Sequence, residues 1–98
     1  MDWNQLTLFE QLSNVAGEVK RLIDNHERFL HGKAKGDHYG FYLGKIRDLV
    51  RRICEDPKNA GREKELWDEV GEIERYGLGK VDGDYVLRYW EQYTKAIS

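Results

Sequence analysis

The feature that most constrains this chain is a spacing of three and four between apolar residues, which occurs twice. Phe9, Leu12, Ala16, Val19, Ile23, His26 and Leu30 follow it first, and Tyr39, Tyr42, Ile46, Leu49 and Ile53 repeat it. Alternating steps of three and four keep side chains on one stripe of an α-helix and make the seam of a coiled-coil-like pair. Beside the first seam runs a second row, Leu8, Val15, Leu22 and Phe29; beside the second lie Leu43 and Val50. A stripe this wide contacts two neighbours, as helices in a bundle do. Thr7 with Glu10 has the form of a capping box that starts the first helix. "HGKAKGD" (31–37) interrupts the pattern with two glycines, and Asp37 stands ready to cap the second helix. Two long helices joined by so short a loop fold back as an antiparallel hairpin.

Gly40 and Gly44 fall one turn apart in the second segment. They imply either a close crossing of another backbone or a helix that begins after Gly40. "EDPKNAG" (55–61) ends the helix. A third is expected from about Arg62 to Tyr76, burying Leu66, Val70 and Ile73 with Trp67 at the margin, and Gly77 and Gly79 as stop signals. "LGKVDGDYVL" (78–87) admits two readings. Asp-Gly between short apolar runs signals a hairpin. Val86, Tyr89, Trp90, Tyr93 and Ile97 fit one helical face with Asp84 as N-cap, and the longer pattern favours helix. The expected architecture is therefore all-α: one domain over residues 1–98, a small antiparallel bundle of three to four helices built on a long N-terminal hairpin.

Composition agrees. Of 98 residues, 40% are hydrophobic and 35% charged, which suits one folded domain with a heavily charged surface. The longest charge-free run is far too short to span a membrane. The start, "MDWNQLTLFEQ", lacks the basic segment and cleavage site of a signal peptide, and the single Cys54 has no disulfide partner within the chain. A cytoplasmic protein is the simplest expectation. Cys54 follows Ile53 at the end of an apolar row and is expected to be a buried thiol.

Three groups of residues are candidates for chemistry. The first is basic. The net charge of −2 is uneven: residues 31–64 carry nine Lys/Arg against five Asp/Glu, and residues 65–98 carry four against eight. Lys45, Arg47, Arg51 and Arg52, interleaved with Tyr39, Phe41 and Tyr42 in the 33–64 region, form a basic face for an anionic partner, either protein, nucleic acid or nucleotide. Carboxylates at helical spacing, Asp48 to Arg52 and Arg51 to Glu55, would partly neutralise it. A pI near 5.9 is unlike that of a dedicated nucleic-acid binder. The second group is aromatic. Tyr85, Tyr89, Trp90 and Tyr93 crowd the last helix, where large side chains with polar tips serve a core, an interface or both. A small bundle often completes its burial by dimerising, so a homodimer is expected.

The third group is acidic: "WDEVGEIER" (67–75). Carboxylates clustered on one helix are what a hard cation such as Mg²⁺ requires, with a phosphate-bearing substrate bridged by the metal. "DEVGEI" resembles the acidic helix signature of the all-α nucleotide pyrophosphohydrolases, the MazG-like group, which read Glu-Glu-x-x-Glu on one helix and Glu-x-x-Asp on the next. Asp68, Glu69 and Glu72 match the first half. Asp84 matches the final aspartate, but Val81 stands where the second glutamate belongs. The resemblance implies an oligomeric Mg²⁺-dependent hydrolase with Glu69 and Glu72 as metal ligands. On the wheel Asp68 points away from the buried direction and Glu72 can pair with Arg75, so the plainer reading is a solvated face without metal. No nucleophile–base pair and no zinc spacing is present among the histidines and Cys54. The leading expectation is a non-catalytic interaction or regulatory protein with no cofactor, acting through its charged and aromatic helix faces.

Overall fold

The computed structural model describes residues 2–94. Four α-helices follow one another: α1 (Leu8–Leu30), α2 (Tyr39–Glu55), α3 (Glu63–Gly77) and α4 (Gly83–Thr94). Short 3₁₀ turns at Trp3–Gln5 and Pro57–Asn59 precede α1 and join α2 to α3. There is no strand among the described residues, so 83–94 is helix and the Asp-Gly hairpin does not form. Ile97 and the ends of the 1–98 span lie outside the described residues.

The capping box forms as expected. Thr7 Oγ1 accepts from the Glu10 amide at 3.1 Å, and Glu10 Oε1 accepts from the Thr7 amide at 3.0 Å. Asp37 caps α2 from just outside it, Oδ1 accepting from the Tyr39 amide at 3.1 Å. The cap of α4 is Asp82, not Asp84. Its Oδ1 accepts from the Tyr85 amide at 2.8 Å, so the helix begins at Gly83 and Asp84 falls within its first turn. The two helix ends at the loops, those of α1 and α3, close identically. The Lys33 and Lys80 amides reach back to the carbonyls of Arg28 and Arg75, with Gly32 and Gly79 in the left-handed region at φ 72° and 77°.

Each helix runs antiparallel to its sequence neighbours, and α1 lies against both α2 and α4. Along α1, Lys45 meets Glu18 at 3.7 Å and Asp37 meets His26 at 3.2 Å. On its other flank, Ser13 Oγ donates to the Tyr93 carbonyl at 2.9 Å, and Gly83 packs against Ile23. The core is Leu12, Val15, Ala16, Val19, Leu22 and Ile23 of α1 against Leu43, Ile46, Val50 and Ile53 of α2. Leu66, Val70, Ile73 and Tyr76 of α3, and Val86, Trp90 and Tyr93 of α4, close it.

The structure departs from the expectation in α2, in its buried row and in its glycines. In α2 the buried row is Leu43, Ile46, Val50 and Ile53, while Tyr42 and Leu49 are half-buried, because the helix turns its stripe to meet α1 and α3 together. Gly40 and Gly44 lie inside α2 in open space, so they neither delay the helix nor admit a crossing backbone. The close approach is at Gly77. A Cβ there would run into the Tyr39 ring, whose hydroxyl donates to the Ile73 carbonyl at 3.2 Å.

Candidate functional site

The four basic residues of α2 are all in ion pairs. Arg47 reaches Glu74 of α3 at 2.9 Å, and Arg51 bridges Asp48 at 2.6 Å and Glu55 at 2.8 Å. Arg52 holds Asp48 at 3.1 Å, and Lys45 pairs with Glu18 while its ammonium lies 5.3 Å from the centre of the Phe41 ring. The face is therefore a lattice of both signs. Exposed pairs of this kind add little stability, but they reduce the field offered to an anion.

The aromatic group is split by the packing. Trp90 is wholly buried and Tyr93 nearly so, so both belong to the core rather than to an accessible face. Tyr89 is half-buried, edge-on to Trp90 with ring centres 4.9 Å apart, and burial followed by the neighbouring Tyr93 raises its phenol above the usual range. Only Tyr85, 49% exposed, stands out into solvent.

In the acidic segment, Asp68 points to solvent and pairs with Lys64 at 2.8 Å, and Glu72 pairs with Arg75 at 3.1 Å. Glu69 has no ion pair among the described residues. Burial, then Glu72, Glu65 and Asp68, push its carboxyl up. No three His, Cys, Asp or Glu side chains are brought together to hold a metal among the described residues. Cys54 is half-buried and free rather than fully buried, with burial and Glu63 raising its thiol.

The surface that stands out lies elsewhere, where α1 and α3 end and α2 and α4 begin. Leu30 and Leu78 are 63% and 71% exposed there. Both line one open cleft of about 430 Å³, together with His26, Glu27, Tyr76, Gly77, Gly79, Val81 and Asp82. Leu78 also borders a second hollow with Tyr39, Leu43, Glu74 and Gly77. Its floor is firmly built. The His26 ring packs on Tyr39 and Tyr76 at 5.6 and 5.3 Å, with Nδ1 3.2 Å from Asp37 Oδ1. Asn25 Oδ1 accepts from the His38 amide at 2.8 Å and ties the loop to α1. His26 is thus the packed, hydrogen-bonded residue its place on the seam implies.

The spacing placed Leu30 on the buried seam; it is exposed because α1 runs 23 residues and α2 only 17, leaving the last turn of α1 uncovered. Leu78 belongs to no helical row. Its one signal in the sequence is an apolar residue held between two glycines in a turn, Gly77 and Gly79. No family model matches the chain, and no curated protein or solved structure shows significant similarity to it. Among the described residues no helix is long and apolar enough to cross a membrane.

Proposed function

We propose that this chain is a non-catalytic interaction module, a small accessory or regulatory protein of the cytoplasm, that binds another protein through the loop end of its bundle. The observation that carries this reading is the pair Leu30 and Leu78, two large aliphatic side chains, both exposed and both lining one cleft. Exposed aliphatic groups gathered around a hollow mark binding surfaces more often than do scattered ones. The ion pairs of Lys45, Arg47, Arg51 and Arg52 support a protein partner over a phosphate backbone. The free Cys54 suits a reducing compartment.

Leu30→Gln and Leu78→Asn test it. Both replace exposed side chains, so each should change the unfolding free energy by less than about 0.5 kcal/mol. A protein captured from the source cell by the wild type should be lost from both variants and retained by Tyr85→Ser. Equal retention by all of them would remove the loop end as the binding surface. Mass in solution then identifies a self-partner: a dimer that both variants dissociate makes the second copy the occupant.

A further inference from the structure

We infer that the cleft at the loop end receives an arginine or lysine side chain, carried among apolar residues on a partner protein. This rests on the interaction reading above and specifies the chemistry of the partner. The lining offers two carboxylates, Glu27 and Asp82, and no lysine or arginine. Among the described residues neither carboxylate is in an ion pair. Asp82 spends Oδ1 on the Tyr85 amide, which leaves its other oxygen to accept from a ligand. Lys33, Lys35 and Lys80 stand in the same loops but outside the lining, exposed to water.

The rest of the cleft suits the remainder of such a side chain. An arginine or lysine is a flexible aliphatic stem with a charged head, and it lays the stem along apolar surface while the head seeks polar groups. Leu30, Leu78 and Val81 supply the apolar lips, above the buried Tyr76 ring. The carbonyl ends of α1 and α3 meet here, and the negative pole of a helix favours a cation. The Tyr76 phenol registers the local field: burial first, then Glu27, Asp37 and Asp24, raise it above its usual range. A purely apolar occupant would bury the charges of Glu27 and Asp82 with no cation to offset them, which is costly.

The probe is n-hexylguanidinium, with n-hexanol as its uncharged counterpart, titrated into the whole chain and followed by amide chemical shifts. Hexylguanidinium should shift Leu30, Leu78 and Val81, with an affinity about tenfold above that of hexanol, as charge-assisted hydrogen bonds to carboxylates require. Glu27→Gln with Asp82→Asn should bring the two probes to the same affinity. Asparagine still caps α4, so that variant keeps its fold. Equal affinity of the two probes for the wild type, or shifts that avoid these three residues, would overturn the inference. Neither outcome touches the interaction reading, which is decided by Leu30→Gln and Leu78→Asn against the captured protein.

Discussion

Where α1 begins and α2 ends, buried hydrogen bonds strap the chain together beneath an open polar hollow; where α1 ends and α2 begins, two leucines face water. At the strapped end the turn Trp3–Gln5 is held by the Gln11 side chain, whose Nε2 donates to the Trp3 carbonyl at 3.1 Å. Gln11 is in turn held by Asn59, whose Nδ2 donates to Gln11 Oε1 and to the Ile53 carbonyl, each at 3.0 Å. Gln11 and Asn59 are almost wholly buried. The N-terminal region and the end of α2 with its following turn, 48 positions apart, are thus joined by one chain of hydrogen bonds in a low-dielectric setting. The loop end has comparable order in its floor but no cover over its lips. A bundle this small gains from every apolar group it buries, at roughly 1.5–3 kcal/mol for a fully buried leucine. Leaving Leu30 and Leu78 exposed at one end, while strapping the other, fits a binding role for the open end.

The largest effect should come from cutting the strap. Asn59→Ala leaves Gln11 Oε1 buried without its donor, while the Ile53 carbonyl keeps the Asp56 amide at 3.2 Å. At about 1–3 kcal/mol for one unsatisfied group, the variant should lose roughly 1–3 kcal/mol in urea unfolding. A loss below about 0.5 kcal/mol would mean that this network does not close the end, and the contrast between the two ends would fail.

The next effect tests whether the open end really has a rigid floor. Gly77→Ala gains about 1 kcal/mol of helix preference but drives a methyl group into the Tyr39 ring. Overpacking should dominate, for a net loss of about 1–2 kcal/mol. Tyr39→Leu removes the ring in contact, so the double variant should lose less than the two single losses together. Additive losses would show a floor loose enough to accommodate the methyl, and would weaken the case for a preformed cleft.

How much of this was legible beforehand depends on what a spacing can encode. Periodicity tells which residues share a helix face, and so it placed Leu12, Val19, Ile46, Leu66 and Ile73 in the core. It says nothing of how far a neighbouring helix extends, which is why Leu30 reads as core and stands in water. It does not say which element lies over a glycine, so Gly40 and Gly44 drew attention that belongs to Gly77. Nor can it pair Gln11 with Asn59 across 48 positions. Spacing takes Asp84 as the cap of α4, whereas the Asp82 side chain, two residues earlier, is the one that reaches the Tyr85 amide. The loop-end cleft was out of reach for the same reason: its lips come from the overhang of one helix and the turn after another.

The smallest effect belongs to the acidic flank of α3, and its sign is opposite. Glu69 lies four residues after Glu65 and three before Glu72, and like charges at such spacings repel by a few tenths of a kcal/mol each. Burial first, and then this repulsion, raise the carboxyl above its unfolded-state pKa. The folded chain therefore holds that proton more tightly than the unfolded chain. Stability linked to Glu69 is full below the unfolded pKa and falls as pH rises through the folded one. Glu69→Gln should accordingly be more stable than the wild type at pH 7, by up to about 0.5 kcal/mol at low salt. The advantage should shrink with added salt and vanish below about pH 4, where the wild-type carboxyl is itself protonated. Were Glu69 instead held by a cation, added Mg²⁺ would stabilise the wild type at pH 7 and leave the variant unchanged, which would remove the variant's advantage. Unfolding curves of the pair with and without Mg²⁺ thus separate a solvated acidic flank from a metal site, and leave the loop end as the region where this bundle departs from simple packing.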